Sequence, residues 1–157
     1  MIVFAESGGD GHWLWDVLGL LTVPALVVLN GLFVAAEFAL VAVRKTRIEE
    51  MVRRGLPGAR AAESAINRLD RSIAATQLGI TLASLALGWV AEPALADLLE
   101  PLFGFLPGGW SAAATHSTAV VVAFLLITFL HVTFGELIPK NVALQATDRT
   151  VIWLATP

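Results

Sequence analysis

The 157 residues are 57% hydrophobic and only 15% charged, with a positive mean hydropathy of 0.76. A chain of that balance lies far outside ordinary soluble domains. The absence of cysteine excludes disulfides, thiolate catalysis and cysteine-based metal sites. Net charge is -3, but it describes no single surface, because eight of the ten Lys and Arg residues fall between Arg44 and Arg71.

The N-terminal stretch carries Glu6, Asp10 and Asp16 and lacks the basic region of a signal peptide, so no cleavage is expected and the first helix belongs to the mature protein. Three apolar segments follow, at about 17–43, 73–91 and 117–139, each near the roughly 20 residues needed to cross a bilayer. The expected fold is therefore all-α and integral to the membrane, with three transmembrane helices. The basic 44–72 segment is retained on the cytoplasmic side, which puts the N-terminus outside and the C-terminus inside. Its basic residues are interleaved with Glu49, Glu50, Glu63 and Asp70, which reads as a membrane-facing anchor rather than a nucleic-acid surface.

The first span, with Pro24 as its expected kink, is predicted to run on as helix past Arg44 until Gly55-Leu56-Pro57-Gly58 breaks it. Ala59 to Asp70 reads as a second juxtamembrane cytoplasmic helix. The second span carries small residues four apart, Ala75, Gly79 and Ala83, and the first repeats the device with Gly31, Ala35 and Ala39. Such stripes permit close helix packing or a dimer contact. The outer connection at 92–116, with Pro93, Pro101, Pro107, Gly108 and Gly109, is too short and broken for a folded domain. The closing segment Thr150 to Pro157 is apolar but too short to span, and reads as a chain cut before its next helix.

Chemistry concentrates at Gly135-Glu136-Leu137-Ile138-Pro139-Lys140, where the third span is expected to end. Proline has no N–H, so the carbonyl of Gly135, four residues earlier, loses its helical donor. One turn then offers a carboxylate and a free carbonyl oxygen, ligands that suit a hard cation such as Mg²⁺. Against this stands a surface pair between Glu136 and Lys140. Glu37, seven residues before Arg44, lies at similar depth, and an intramembrane pair with Asn30 or Arg44 competes with a cation role. Gln77, Thr81, Ser84 and Gly88 form one polar stripe on the second span, from which Thr81 and Ser84 could supply neutral oxygens. His131 lies about 140° around an ideal helix from Glu136, and reads as a structural hydrogen-bonding residue outside that ligand set. No catalytic fingerprint is present, and the chain is not expected to be an enzyme.

The segments Asn30-Gly-Leu-Phe-Val-Ala-Ala-Glu-Phe-Ala-Leu40, Thr76-Gln-Leu-Gly-Ile-Thr-Leu-Ala-Ser-Leu-Ala-Leu-Gly-Trp-Val-Ala-Glu-Pro93 and Phe134-Gly-Glu-Leu-Ile-Pro-Lys-Asn141 resemble the transmembrane domain of CNNM/CorC-type magnesium transporters, called hemolysin-like in bacteria. The resemblance covers the first span to Pro157. It implies a homodimer in the bacterial inner membrane, with cytosolic CBS domains beyond residue 157, and export of Mg²⁺ driven by Na⁺. It places the family's motif glutamate at Glu136, with Gly135 and Pro139 as the helix break. Two departures stand out. Val34 and Ala36 occupy positions where many members have Ser, and Gly79-Ile80-Thr81 replaces Gly-Asn-Asn. The alternative expectation is a membrane anchor and dimerisation module that carries regulatory CBS domains without transport.

Overall fold

The computed structural model describes residues 12–104 and 112–155. The acidic residues Glu6 and Asp10, Pro107-Gly108-Gly109 and Pro157 lie outside them. All described elements are helical: α1 (His12–Ala42), α2 (Lys45–Arg53), α3 (Ala59–Asn67), α4 (Leu69–Gly104), α5 (Ala112–Leu130), a π-helical segment (His131–Leu137), α6 (Ile138–Gln145) and α7 (Thr147–Leu154). Three stretches are long and apolar enough to cross a membrane: Leu21–Ala42, Leu69–Ala91 and Ala113–Gln145.

Packing is the reverse of a water-soluble core. The side chains with least exposure are mostly small, including Ala39, Ala83, Ala91, Ala119, Ala123 and Ala143, whereas Leu78, Leu85, Trp89, Leu125 and Phe129 point outward. Lipid provides no hydrophobic drive between helices, so close backbone approach through small residues holds them together. The small stripe at Ala119 and Ala123 of α5 does this as well as those of α1 and α4. Leu87, Ala91 and Leu95 of α4 close against Val23 and Val27 of α1 and against Ala123 and Ile127 of α5.

Four expectations change. The helix does not run through Arg44: Arg44 is extended (φ -80°, ψ 132°), so α2 leaves α1 at an angle. The outer connection is largely helix, because α4 continues through positions 93 and 101 to Gly104. An interior proline costs a helix roughly 3 kcal/mol, and here burial of Leu95, continued by Leu99, against α1 and α5 offsets it. The third span does not end at Pro139 either; it carries on through α6 to Gln145. The expected second cytoplasmic helix stops at Asn67, and α4 starts at Leu69.

Inside the basic segment, Gly55 (φ 70°) and Gly58 (φ 82°) take left-handed turns that reverse α2 into α3. These helices and α7 cap the end of α1: Ile48, Met51, Ala59, Ala62 and Val151 share a core with Ala35, Ala39 and Leu40. An ionic clasp closes its rim. Arg47 Nε donates to Asp148 Oδ2 at 2.8 Å and Arg47 Nη1 to Glu50 Oε2 at 2.6 Å.

Two outcomes follow from this packing. A Cβ at Gly79 would lie 2.6 Å from the Phe33 ring, so Gly79→Ala is expected to overpack the α1–α4 contact by about 1–3 kcal/mol and lower the unfolding temperature in detergent. The hydrogen bond from Arg47 holds the Glu50 carboxyl below its ordinary value. A depressed carboxylate stabilises the folded form above its unfolded value and loses that contribution as pH falls through the folded one. Hydrogen exchange of α2 amides should therefore quicken as pH, after correction for intrinsic exchange, drops below the ordinary carboxylate range, and Glu50→Gln should flatten the response.

Candidate functional site: a braced turn in the third span

From His131 to Leu137 the third span switches to an i→i+5 ladder, seen where the Ile138 N–H bonds the Thr133 carbonyl. Such π-segments occur mostly as single turns and frequently at functional sites. The switch explains how the helix passes Pro139: α6 starts at Ile138, so the proline sits in a first turn, where a missing N–H costs little. It also removes the 3.6-residue geometry behind the 140° separation of His131 and Glu136.

The Gly135 carbonyl is not left free. Asn30 of α1 donates to it through Nδ2 at 3.0 Å, and Asn30 is fully buried, with 0% exposure. Ser84 Oγ of α4 donates to Asn30 Oδ1 at 3.3 Å and lies 3.4 Å from His131 Nε2. The arrangement that satisfies every member has His131 donating through its Nε2–H, Ser84 donating to Asn30, and Asn30 donating to Gly135. This chain joins all three spans. Among the described residues no buried side-chain nitrogen or oxygen lacks a partner. A carbonyl oxygen has two lone pairs, and Asn30 takes one of those on Gly135.

Two turns away, about 10 Å along the helix axis, a second rung repeats the pairing. Seven residues on along α1 and seven back along α4, Gln77 Nε2 donates to Glu37 Oε1 at 3.3 Å. The partner of Glu37 is therefore neither Asn30 nor Arg44. Thr81 is exposed and sends its hydroxyl proton back to the Gln77 carbonyl at 2.9 Å, which leaves its oxygen lone pairs facing out of the protomer. Of the five candidate ligands, Ser84 and Gly135 are thus joined through Asn30, while Glu37 and Thr81 share the Gln77 rung.

Glu136 stands apart from both. It is half-buried, and its side chain makes no hydrogen bond or ion pair among the described residues. Lys140, the expected surface partner, instead lies with Nζ 4.6 Å from the centre of the Phe38 ring. A carboxylate inside a membrane without a protein cation is costly unless it takes up a proton or a metal ion. No group of three His, Asp or Glu side chains converges among the described residues. A free carboxylate such as that of Glu136 would suit a cation that keeps its waters, as Mg²⁺ does, better than one needing a full protein cage.

Residues 21–157 match the profile of the Cyclin M transmembrane N-terminal domain, CNNM. The chain belongs to the CNNM family. Curated relatives include the UPF0053 proteins YugS and YhdT of Bacillus subtilis (strain 168), 40% and 43% identical over 90% of this chain. The uncharacterized protein Rv1841c of Mycobacterium tuberculosis is 38% identical over the same share. The matched region makes up 32%, 30% and 40% of these proteins, so the chain spans about a third of the length of its curated relatives. Within this CNNM domain the residue that sequence reasoning undervalued is Asn30, weighed only as a neighbour of Glu37. Its signal was present: a buried amide in an apolar span needs partners, and Pro139 leaves a carbonyl needing a donor.

Replacing Asn30 by Leu strands that carbonyl and the Ser84 hydroxyl. The expected cost is about 1–3 kcal/mol for the unsatisfied buried group, read as a lower unfolding temperature together with faster hydrogen exchange confined to the residues around the π-turn. Gly135→Ala should act similarly, since its Cβ would lie 2.8 Å from the His131 ring and 3.2 Å from the Asn30 amide.

Proposed function

We propose that this chain is the membrane domain of a divalent-cation transporter that moves Mg²⁺ past the π-turn of the third span. The single observation that carries the reading is Glu136, a half-buried intramembrane carboxylate whose side chain has no partner among the described residues, in the π-turn just before Pro139. Membership of a family associated with divalent-cation transport supports it. In this mechanism Glu136 attracts the partly hydrated cation, the Gly135 carbonyl and the oxygens of Ser84 and Thr81 offer neutral contacts, and Glu37 supplies a second charge two turns from Ser84. Export coupled to inward Na⁺ movement belongs to the same proposal, as do the bacterial inner membrane and an orientation with α2, α3 and α7 in the cytoplasm. The concentration of basic residues in 44–71 supports that orientation.

A homodimer is proposed with it. Gln77, Thr81 and Gly88 are exposed on α4 beside Leu78, Leu85 and Trp89, and polar or small groups facing out of a protomer suit a helix contact in lipid. Cytosolic CBS domains of the full-length protein would be its regulatory partners.

A second reading, an anchor and dimerisation module for those domains without transport, is favoured by one observation: Asn30 already occupies the Gly135 carbonyl where a ligand would bind. Flux measurements separate the two. In proteoliposomes of the full-length protein, Glu136→Gln is expected to cut Mg²⁺ flux at least tenfold while leaving the dimer intact. Wild-type flux in that variant overturns the site, and no flux above empty liposomes in the wild type favours the anchor.

A further inference from the structure

A second feature lies on the other side of α1, away from the Asn30 chain. Between α1, the third span and α7 is an open cavity of about 480 Å³, within the usual range of ligand pockets, about 300–1,000 Å³. Val28, Leu32 and Ala35 of α1, Phe134 and Val142 of the third span, and Trp153 of α7 form its walls. Val28, Phe134, Val142 and Trp153 are all more than a third exposed, so the cavity opens sideways toward the acyl chains rather than into the protein.

Its polar end is of one sign. Arg149 and Thr150 line it and no carboxylate does. Arg149 has no ion-pair partner among the described residues, and the neighbouring Asp148 is held by Arg47 at 2.8 Å. That bond also sets the depth. It ties the first turn of α7 to α2, which begins three residues after α1 ends at Ala42. Arg149 therefore stands level with the end of a membrane span, on the side where the basic residues gather. Trp153, an amphipathic ring suited to the interface, lies one turn further on.

From this geometry we propose that the groove binds one anionic phospholipid of the surrounding leaflet, with its phosphate on Arg149 and an acyl chain laid along α1 past Ala35 toward Val28. Basic pockets between membrane helices hold such headgroups, and an apolar wall open to lipid suits a chain that never leaves the bilayer. An acidic protein segment would match Arg149 but would place its polar backbone against the apolar walls, where the backbone groups lack partners. The proposal does not depend on cation transport.

Trp153 is the probe. The full-length protein is placed in phosphatidylcholine nanodiscs in which a minor fraction of lipid is replaced by brominated phosphatidylglycerol or, in parallel, by brominated phosphatidylcholine. The Trp153 signal is taken as the difference between wild type and Trp153→Phe. Brominated phosphatidylglycerol is expected to quench it several-fold more than the same fraction of brominated phosphatidylcholine. Arg149→Gln should abolish the difference and Arg149→Lys preserve it, while discs made wholly of brominated phosphatidylcholine still quench both variants. Equal quenching by the two lipids in the wild type, or a preference that survives Arg149→Gln, overturns the proposal. So does failure of both lipids to quench, which would mean that protein, a second copy or another segment of the chain, covers the groove.

Discussion

The hydrogen bond from Asn30 to the Gly135 carbonyl is the contact on which the arrangement of the three spans depends. In hydrocarbon an unpaired backbone oxygen costs several kcal/mol, and Pro139 creates one in the middle of the third span. A side chain from another helix answers the Gly135 carbonyl, and it can reach only if α1 and the third span lie almost in contact. Gly31 allows that approach, since a Cβ there would lie 2.9 Å from the Pro139 ring. Proline, π-turn, glycine and asparagine form one solution to one deficit.

The same constraint organises α4. Its Gly79 receives the Phe33 ring, which brings Ser84 and Gln77 to the level of Asn30 and Glu37. Two polar rungs two turns apart then cross an interface that is otherwise apolar. Polar groups inside a membrane domain thus have two fates here. Those of Asn30, Ser84 and His131 pair with one another and set the helix register, whereas Glu136 is left over. The leftover group is the one the transport proposal uses, because a carboxylate already satisfied by protein would have little reason to bind and release an ion.

At the basic end the balance is different. Water is available there, the ion pairs of Arg47 with Glu50 and Asp148 are exposed, and pairs of that kind contribute little individually. Their effect is positional: Arg47 holds α7 against α2, while Val151 and Ile48 supply the apolar contact beneath. That placement forms the floor of the lipid-facing groove and fixes Arg149 at its mouth.

The sequence by itself determined that the chain is all-helical with three membrane spans, and it determined the family. Those depend on local quantities: runs of apolar residues, a block of basic ones and short motifs read along the chain. It also marked Pro139 as the source of an unpaired carbonyl. Only the tertiary structure decided what answers that carbonyl, because Asn30 is 105 residues away and no local pattern pairs them. It likewise decided that Gln77 rather than Arg44 meets Glu37, and that the third span passes its proline instead of ending there. It carried α4 beyond two prolines as well, since contacts with α1 and α5 outweigh the local preference to break. In a bilayer the composition of a segment decides that it crosses, but the pairing of its few polar atoms depends on which helices touch.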